Sequence, residues 1–372
     1  MPDAGALTLH IAWNGKAIGG VTADSSRPRA YRLLAGKTPQ QAAQTIPLLY
    51  SVCSQAQLAA AIAAMAAAPA EQHGVRQDAV LERAVACEAM QEHLWRLLLD
   101  WPQLLGLPTA QPQFVNWRRM LNLIATGAGD AQELLAQLSH QLLGLNSSEW
   151  RAIASYADLR AWWLAGNGLL APLLQALDRR ESELEPAGAA GCELLPDWTI
   201  SDALLACSGQ LDVEFAARPH NGGRPMEVGA LAFRQHSPLL KDIMRVHHTR
   251  LLARLIARLA DLLDSVEAVA QGRDTGRLES AAAADGAGMA LVRTARGPLL
   301  HYVQLERTRE TKKVAQYLVI APTEWNFHPQ GALANSLNGI SAASAEQLLA
   351  TARMWVLSLD PCVEYRIEVR HA

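Results

Sequence analysis

Apolar and polar side chains alternate near the start of the chain. This is the pattern of a half-buried β-strand, because successive strand side chains point to opposite faces. The apolar positions of this stretch are Leu7, Leu9, Ile11 and Trp13. Asn14-Gly15 follows, and this pair suits a tight turn because it tolerates a positive φ. The sequence therefore predicts a β-hairpin whose second strand covers 17–21.

Longer stretches carry apolar residues at three- and four-residue steps, the spacing of one face of an α-helix. The longest predicted helix is Pro238–Ala270, where Leu252, Leu255 and Leu259 keep this spacing. Further helices are predicted from Thr38-Pro39 onward, over the Ala-rich stretch up to Ala68, and over Glu82–Trp101, Ala131–Leu143, Ser148–Leu177 and Ala345–Leu357. Thr109–Met120 is predicted to be irregular, and an extended region is predicted to end in 218–229.

Three strands are predicted in the last quarter of the chain, with a turn over 307–313. They are Met289–Thr294, Leu299–Glu306 and Val314–Ile320. Polar, glycine-containing loops are predicted near 181–191 and 271–288. These elements predict a mainly α fold with small antiparallel β elements, which is an α+β class. We expect residues 1–372 to form a single domain, with flexible connections at the two loops.

Composition and charge exclude several classes of protein. Half of the 372 residues are hydrophobic and the net charge is −3, so the charge gives no case for binding nucleic acid. The apolar run Leu58–Ala70 is too short for a bilayer span, which takes about 20 residues, so no membrane insertion is expected. The five cysteines include no C-x-x-C pair. With no signal peptide recognisable, a reduced, cytoplasmic protein without disulfides is expected.

Most candidate metal-binding or catalytic residues have a simpler explanation. His247 and His248 are adjacent on a predicted helix, so their side chains diverge by about 100° and cannot share one metal ion. Cys87 falls in a helix with apolar spacing, where a buried packing thiol is the default. Cys53 and Cys362 are different because of the residues that surround them.

Several segments follow one another in an order known from one family. They are Gly223–Ala232 (Gly-Arg-Pro-Met-Glu-Val-Gly-Ala-Leu-Ala), Ala295-Arg296-Gly297 with Leu300-His301 after it, Pro322–Asn326 (Pro-Thr-Glu-Trp-Asn) and Asp360-Pro361-Cys362. On these residues, nearly the whole chain resembles the large subunit of nickel–iron hydrogenases. The resemblance implies a reduced form of that fold, in which the N- and C-terminal segments meet at the site.

The metal-binding positions depart from that family. The family holds its metals with two C-x-x-C pairs, one near each end of the chain, whose soft thiolates suit nickel and iron. Here the first pair reads Tyr50 and Cys53, the second reads Cys362 and Tyr365, and Gln57 replaces the His that usually follows the first pair. A square of four sulfurs around nickel cannot be built. Cys53 matches the family's iron-bridging cysteine, whereas Cys362 matches a cysteine that binds only nickel in the family. Whether both cysteines reach one iron therefore stays open.

The residues that surround the iron in the family are kept. The resemblance implies that Arg296, Pro322 and Thr323 line a pocket for the cyanide ligands of the iron, because a guanidinium and a hydroxyl can donate hydrogen bonds to an anionic diatomic ligand. It implies Cys53 and Cys362 as metal ligands. The cargo would be iron with cyanide and carbon monoxide ligands, held transiently, without nickel. This combination is similar to the large-subunit-like accessory proteins of hydrogenase maturation, of the HupK/HoxV type.

The expected function is a non-enzymatic scaffold or chaperone that holds the iron fragment before its transfer to the large subunit. The expected partners are hydrogenase maturation chaperones and the immature large subunit, without a stable iron–sulfur small subunit. Two alternatives stay open: a metal-free mimic of the large subunit that binds maturation partners, and a redox hydrogenase-like subunit. We also expect that no C-terminal tail is removed, since only ten residues follow Cys362 and several are charged.

Overall fold

The computed structural model describes residues 5–68, 78–184, 192–284, 286–307 and 312–371. The strands are β1 Ala6–Trp13, β2 Ile18–Ser25, β3 Leu278–Ala284, β4 Ala287–Thr294, β5 Gly297–Arg307, β6 Lys312–Ile320 and β7 Glu364–His371. The helices are α1 Pro39–Leu49, α2 Ser54–Ala67, α3 Ala79–Trp95, α4 Trp101–Leu104, α5 Gln111–Ala125, α6 Ala131–Gln137, α7 Ser147–Ala152, α8 Tyr156–Leu164, α9 Ala171–Ser182, α10 Ile200–Cys207, α11 Val213–Ala217, α12 Ala230–Phe233, α13 Pro238–Val246, α14 Leu251–Ala270, α15 Pro322–Asn326, α16 Ala332–Leu337 and α17 Ala345–Leu359. A 3-10 helix covers Ala30–Leu34, and π-helical turns cover Arg96–Asp100 and Leu138–Leu143. None of the described helices has the length and apolar character needed to cross a membrane.

The first sheet, ordered β2-β1-β7, joins the two ends of the chain. The predicted hairpin is confirmed: every second residue of β1 is buried, Gly15 takes a φ of 87°, and the Asn14 side chain accepts a hydrogen bond from the N–H of Ala17 at 2.9 Å. β7 was not predicted, because its alternation is masked by charged side chains of the kind that protect sheet edges. It pairs parallel with β1, with Leu7 opposite Tyr365. The expectation that the two terminal segments meet is therefore confirmed.

The second sheet is antiparallel in the order β3-β4-β5-β6. The three predicted strands are confirmed as β4, β5 and β6. The loop predicted over 271–288 is wrong in part, because it contains β3. The sequence of β3 is rich in alanine and has little strand propensity of its own, so its pairing with β4 decides its conformation. The predicted turn over 307–313 lies largely outside the described residues.

The Ala-rich helix α2 packs closely on this second sheet, as small side chains allow. Ala60 and Ala64 are fully buried. Gly288 of β4 has no room for a side chain, since a Cβ there would lie 2.1 Å from the carbonyl oxygen of Ala64. This contact fixes the position of α2 and, with it, that of Cys53, which directly precedes the helix.

The predicted helix Glu82–Trp101 is confirmed and extends beyond both ends. Asp78 caps α3 by accepting hydrogen bonds from backbone N–H groups of the first turn, and a π-helical turn leads from α3 into α4. Glu88, Glu92 and Arg96 follow one another at four-residue steps, so they lie on one face of the helix. This face is directed at the site described below.

Helix α14 lies at the centre of the helical core, with most of its residues buried. The prediction of one helix over Pro238–Ala270 is wrong, because the chain leaves the helical path at His247 and re-enters it at Leu251. A contact distant in sequence supports the break. The Glu181 carboxylate accepts hydrogen bonds from the N–H of Leu251 and Leu252 at 3.0 and 2.8 Å. The N–H groups in the first turn of a helix have no acceptor within the helix, so Glu181 satisfies two of them.

Three further predictions are corrected. Thr109–Met120, predicted to be irregular, leads into and forms most of α5, where Pro112 stands in the first turn and therefore does not break the helix. The helix predicted over Ser148–Leu177 is divided into α7, α8 and α9. The region predicted to be extended contains α10 and α11, each started by a polar capping residue, Thr199 and Asp212 respectively.

Candidate metal-binding site

The five residues implied by the resemblance lie in four separate segments. Cys53 precedes α2, Arg296 lies in the turn between β4 and β5, Pro322 and Thr323 begin α15, and Cys362 lies between α17 and β7. The fold brings these segments together, since the Thr323 hydroxyl lies 3.2 Å from the Cys362 sulfur and Arg296 interacts electrostatically with both cysteines. Cys53 and Cys362 are half-buried, whereas the other three cysteines are buried.

Thr323 and Cys362 are joined by two hydrogen bonds. The Thr323 hydroxyl donates to the Cys362 sulfur and accepts from the Cys362 backbone N–H, both at 3.2 Å. Asn326, one turn further along α15, accepts from the Val228 N–H at 2.9 Å and donates to the Leu359 carbonyl at 3.4 Å. The Pro-Thr-Glu-Trp-Asn segment thus supplies one residue to the site and another that positions α15 against the end of α17.

Asp360 fixes the backbone two residues before Cys362. It ends α17 in the left-handed region at a φ of 56°. Its buried carboxylate contacts three guanidinium groups, those of Arg96 at 2.7 Å, Arg258 at 2.9 Å and Arg296 at 3.3 Å. Burial disfavours the carboxylate charge, but the three arginines outweigh it and hold the pKa of Asp360 well below its usual value. This cluster ties α3, α14 and the β4–β5 turn to the segment that carries Cys362.

Arg296 is held beside the cysteines by two acidic partners. Its Nη2 donates to Glu92 at 2.6 Å. Its Nε is buried and lies 3.3 Å from Asp360, but no described residue accepts a hydrogen bond from it. Burial works against the guanidinium charge, yet Asp360, Glu92, Cys362 and Cys53 together raise the pKa of Arg296. Arg296 therefore stays charged, and it keeps a donor that can serve a further acceptor.

Cys53 lies in the same electrostatic environment as Cys362. Gln57 Nε2 donates to the Cys53 sulfur at 3.6 Å. Burial of the thiol, followed by the charges of Cys362 and Glu88, raises the pKa of Cys53 to about 12 against the opposing effect of Arg296. Without a bound metal, Cys53 is therefore a neutral thiol at pH 7.

Glu88 of α3 caps the helix that begins after Cys53. Its two carboxylate oxygens accept hydrogen bonds from the N–H groups of Gln55 at 2.8 Å and Ala56 at 2.9 Å. Burial raises the pKa of Glu88 to about 7, although these hydrogen bonds oppose the shift. In the sequence, only the four-residue spacing from Glu92 marks this residue, and that spacing is common on exposed helix faces.

Gln57 connects Cys53 to a buried hydrogen-bond chain. The His301 Nε2 lies 2.9 Å from Gln57 Oε1, and the His301 Nδ1 lies 2.7 Å from the Tyr317 hydroxyl. Burial lowers the pKa of His301 to about 3, so the ring is neutral. With Gln57 donating to Cys53, a consistent assignment has His301 donating to Gln57 and accepting from Tyr317. The residue that replaces the family's His thus still contacts the cysteine.

Arg27 is a second guanidinium at the site, and sequence reasoning missed it. It lies over the Tyr50 ring, 5.6 Å from the ring centre, and 3.9 Å from the Glu324 carboxylate. Burial lowers the pKa of Arg27, but Cys362, Glu324 and Cys53 outweigh this effect and raise it overall. The local sequence is a basic turn without any distinguishing pattern, so only the packing against Tyr50 reveals the role of this arginine.

Two open clefts are lined by residues of the site, although Cys53 is in neither lining. The Thr323 cleft has a volume of about 780 Å³, and its lining includes Thr323, Tyr50, Arg27 and Glu324. The Cys362 cleft has a volume of about 1040 Å³, and its lining includes Cys362, Arg296, Asp360 and Tyr365. Thr323 lines one cleft and Cys362 lines the other. Because these two residues are hydrogen-bonded, the linings of the two clefts meet at this pair. The site is therefore reachable from outside.

The donor set suits a metal that brings ligands of its own. Within the described ranges, no group of three or more His, Cys, Asp or Glu side chains is placed to hold a metal ion. The chain itself offers two thiols, with two guanidiniums and one hydroxyl beside them. Soft thiolates suit iron, and the cationic and hydroxyl groups suit anionic diatomic ligands on that iron.

Comparisons with known proteins show which family this chain resembles. The family model of nickel-dependent hydrogenases matches residues 227–365. The hydrogenase expression/formation protein HoxV of Cupriavidus necator is 29% identical over 392 residues, which cover 99% of this chain and 97% of HoxV. The hydrogenase expression/formation protein HupK of Azotobacter vinelandii is 30% identical over 380 residues, which cover 99% of this chain and 100% of HupK.

The same fold is found among solved hydrogenase structures. A chain of the Ni-Fe-Se hydrogenase from Desulfovibrio vulgaris Hildenborough, in the as-isolated oxidized state, matches with a TM-score of 0.57 at 16% identity, covering 95% of each chain. The enzyme from Desulfomicrobium baculatum matches with a TM-score of 0.55 at 13% identity, again covering 95% of each chain. The predicted hydrogenase large-subunit-like fold is confirmed.

Proposed function

Because this chain belongs to the family of hydrogenase expression/formation proteins that includes HupK and HoxV, we propose that it is a scaffold for the iron fragment of a nickel–iron active site. In this role it holds iron with its cyanide and carbon monoxide ligands and passes it to the immature large subunit. The role in hydrogenase maturation follows from the family. The scaffold role and the identity of the cargo are the proposal.

One observation carries the proposal, namely that two half-buried thiols lie beside two charged guanidiniums in a site reached by open clefts. Cys362 is hydrogen-bonded to Thr323 at 3.2 Å, and the pKa of Cys53 responds to the charge of Cys362. Arg27 and Arg296 both interact electrostatically with both cysteines. A scaffold needs such access, because it must receive and release its cargo.

Each site residue has a distinct role in this proposal. Cys53 and Cys362 lose their protons and bind iron as thiolates, since the thiolate is the form that ligates metals. Arg296 directs its unsatisfied donor, and Thr323 its hydroxyl, to the cyanide nitrogens. Pro322 starts α15 and so positions Thr323. Arg27, from the side of Tyr50, adds positive charge that offsets the two thiolates.

Nickel is not part of the proposed cargo. Tyr50 and Tyr365 stand where the resemblance places the two missing thiolates. Tyr50 is buried, and burial raises its pKa to about 12, so it is a neutral phenol at pH 7. Tyr365 lies in β7 and lines the Cys362 cleft. Neutral phenols are poor ligands for a soft metal site, which supports a non-enzymatic role.

A second candidate function is a metal-free mimic of the large subunit that occupies maturation partners. It is favoured by the small donor set, since within the described ranges no group of three or more His, Cys, Asp or Glu side chains is placed to hold a metal ion. A redox hydrogenase-like subunit remains the third alternative. It would require a permanent iron–sulfur partner and a nickel site.

Infrared spectroscopy of protein purified without oxygen, from cells that make the hydrogenase, tests the proposal. Cyanide and carbonyl stretches, with iron bound to the chain, are the expected result. If such samples contain ample protein but show none of these bands, the metal-free mimic is favoured, provided that the chain still binds maturation chaperones or the immature large subunit. A stoichiometric, salt-resistant complex with an iron–sulfur small subunit would overturn both readings and favour the redox subunit.

A further inference from the structure

The mouth of the Thr323 cleft carries unpaired positive charge. Arg29, Arg32 and Arg218 line this cleft and are exposed. In the part of the chain that the structure describes, none of their guanidinium groups has a hydrogen bond or ion pair. The chain as a whole has a net charge of −3, so this excess of positive charge is local.

The acidic residues of the same cleft neutralise these arginines only in part, since Arg29 interacts electrostatically with Glu324. Asp24 lies 3.2 Å from His10, and Glu324 lies 3.9 Å from Arg27. Glu214 is the remaining acidic residue of the lining. With Arg27, the lining holds four guanidiniums and three carboxylates. An incoming acidic group would gain from this excess of positive charge.

The cleft is larger than the iron fragment requires. Its volume of about 780 Å³ lies within the roughly 300–1,000 Å³ of pockets that enclose a drug-sized ligand. An iron atom with three two-atom ligands is much smaller. The space therefore suits several side chains of a polypeptide segment together with the cargo.

Exposed apolar side chains adjoin the same chain segments. Leu33 directly follows Arg32 and is 62% exposed, and Leu48 lies two residues before Tyr50 and is 83% exposed. A small anion gains nothing from exposed leucines, whereas a protein surface buries them favourably. The combination of arginine and leucine thus fits a protein partner.

We propose that the Thr323 cleft is the docking site for an acidic segment of a partner protein that delivers or collects the iron fragment. This inference rests on the proposed function, because it identifies the surface at which the cargo changes hands. Arg29, Arg32 and Arg218 attract the segment, and Tyr50 and Thr323 at the cleft wall bring its tip beside Cys362. The Cys362 cleft remains available to a second partner.

Binding of the purified chain to the immature large subunit and to the small maturation chaperones of the same host tests this proposal. The double variant Arg29→Glu/Arg32→Glu is expected to weaken one of these complexes by about tenfold or more, mainly by slowing association, and to remove most of its salt dependence. Arg218→Glu should act in the same direction by a smaller factor.

The matched control is Arg118→Glu/Arg119→Glu. This change reverses the same number of charges on two exposed arginines of α5, outside the cleft. It is expected to alter binding by less than about twofold. Thermal unfolding of each variant confirms that the fold is kept, so that weaker binding is not a result of misfolding.

The outcomes separate this proposal from the one on which it rests. If the wild-type chain carries iron and binds a partner, and the cleft variant binds that partner equally well, the docking site is wrong and the scaffold role stands. If the cleft variant loses iron but keeps the partner, the arginines guide a small anion, and docking of a protein segment is again wrong. If the wild-type chain carries no iron and binds neither partner, the scaffold role is wrong, and the docking proposal that rests on it is wrong as well.

Discussion

Asp360 determines the position of Cys362 through charge. Its carboxylate forms ion pairs with three guanidiniums, which come from the turn that follows α3, from α14 and from the β4–β5 turn. Each of these arginines is largely buried, so each needs an acidic partner. The residue is part of the C-terminal Asp-Pro-Cys segment, where the sequence draws attention to the cysteine instead. At the scale of single residues, the site depends on this carboxylate as much as on the thiols.

Asp360→Asn is expected to lower the free energy of unfolding by about 3 kcal/mol or more at pH 7, because the buried Arg258 loses its one acidic partner among the described residues. Arg96 and Arg296 each lose one of two acidic partners. The lowered pKa of Asp360 means that its stabilising effect is present above the usual carboxyl pKa of about 4 and is lost below it. Urea unfolding of both proteins at pH 7 and in acid measures the difference.

The control for this experiment is Asp264→Asn. Asp264 also binds an arginine, Arg234 at 2.5 Å, but its side chain is 51% exposed. Asp264→Asn is expected to lower the free energy of unfolding by less than about 1 kcal/mol. Equal losses for the two variants would contradict the structural role of the Asp360 cluster.

Cys53→Ser is expected to abolish iron loading while the fold is kept, because serine has nearly the size of cysteine but is a poor ligand for a soft metal. Iron per chain in protein purified without oxygen is the measurement. Cys87→Ser is the control, since Cys87 is a buried core thiol on α3 that lies outside the site. Wild-type iron content in the Cys53 variant would exclude this cysteine as a ligand.

Helix α3 is the element that assembles the site. Its face carries three residues at four-residue steps. Glu88 caps α2, Glu92 binds Arg296, and Arg96, directly after the helix, forms an ion pair with Asp360. One helix face therefore positions the segments of Cys53, Arg296 and Cys362. The predicted helix Glu82–Trp101 indicates that these side chains share a face. The residues that they bind lie up to 264 positions away in the sequence, so the sequence pattern does not reveal them.

Glu88 is expected to make stability depend on pH near neutrality. Its pKa rises from 4.5 to about 7 on folding, so between these values the folded chain binds more protons than the unfolded chain. By linkage, this group lowers the free energy of unfolding as the pH rises through that range. Glu88→Gln should therefore be more favourable, relative to wild type, at pH 8 than at pH 5.

Denaturant unfolding of both proteins between pH 5 and pH 8 checks this expectation. The difference between the two proteins matters rather than either curve alone, because other groups also titrate. Gln132→Ala, on α6, removes no ionisable group and serves as the control, so its difference from wild type should not change with pH. A Glu88→Gln difference that is equally constant would show that Glu88 does not titrate in this range.

At the scale of the whole molecule, the two ends of the chain form one sheet. β7 pairs with β1 over eight residues, from Ala6 opposite Glu364 to Trp13 opposite His371. Cys362 lies between α17 and this strand, so it is held from both sides. The chain from Cys362 to His371 is therefore part of the fold.

We expect protein from its native host to retain β7. Cleavage just after Cys362 would remove this strand and leave the backbone of β1 unpaired along that edge. Intact-mass measurement decides the matter. A species shortened directly after Cys362 would contradict the expectation, and it would revive the redox-subunit alternative.

The sequence by itself determined the elements that have strict local periodicity and the segments that carry the family resemblance. It predicted the hairpin, strands β4 to β6, helix α3 and the mainly helical fold, because alternation and helical spacing reflect which side of an element is buried. The resemblance also indicated Arg296, Pro322, Thr323, Cys53 and Cys362. The structure places these residues around one site, and their binding of iron stays a prediction.

Only the tertiary structure decided the features that arise from contacts between distant segments. Glu181 caps the helix that restarts at Leu251 after the break at His247. β3 forms because β4 pairs with it. Arg27 packs on Tyr50 and interacts electrostatically with the cysteines. In each case the local sequence is compatible with another structure. The free energy that chooses between them comes from a hydrogen bond, a strand partner or a charge that lies elsewhere in the chain.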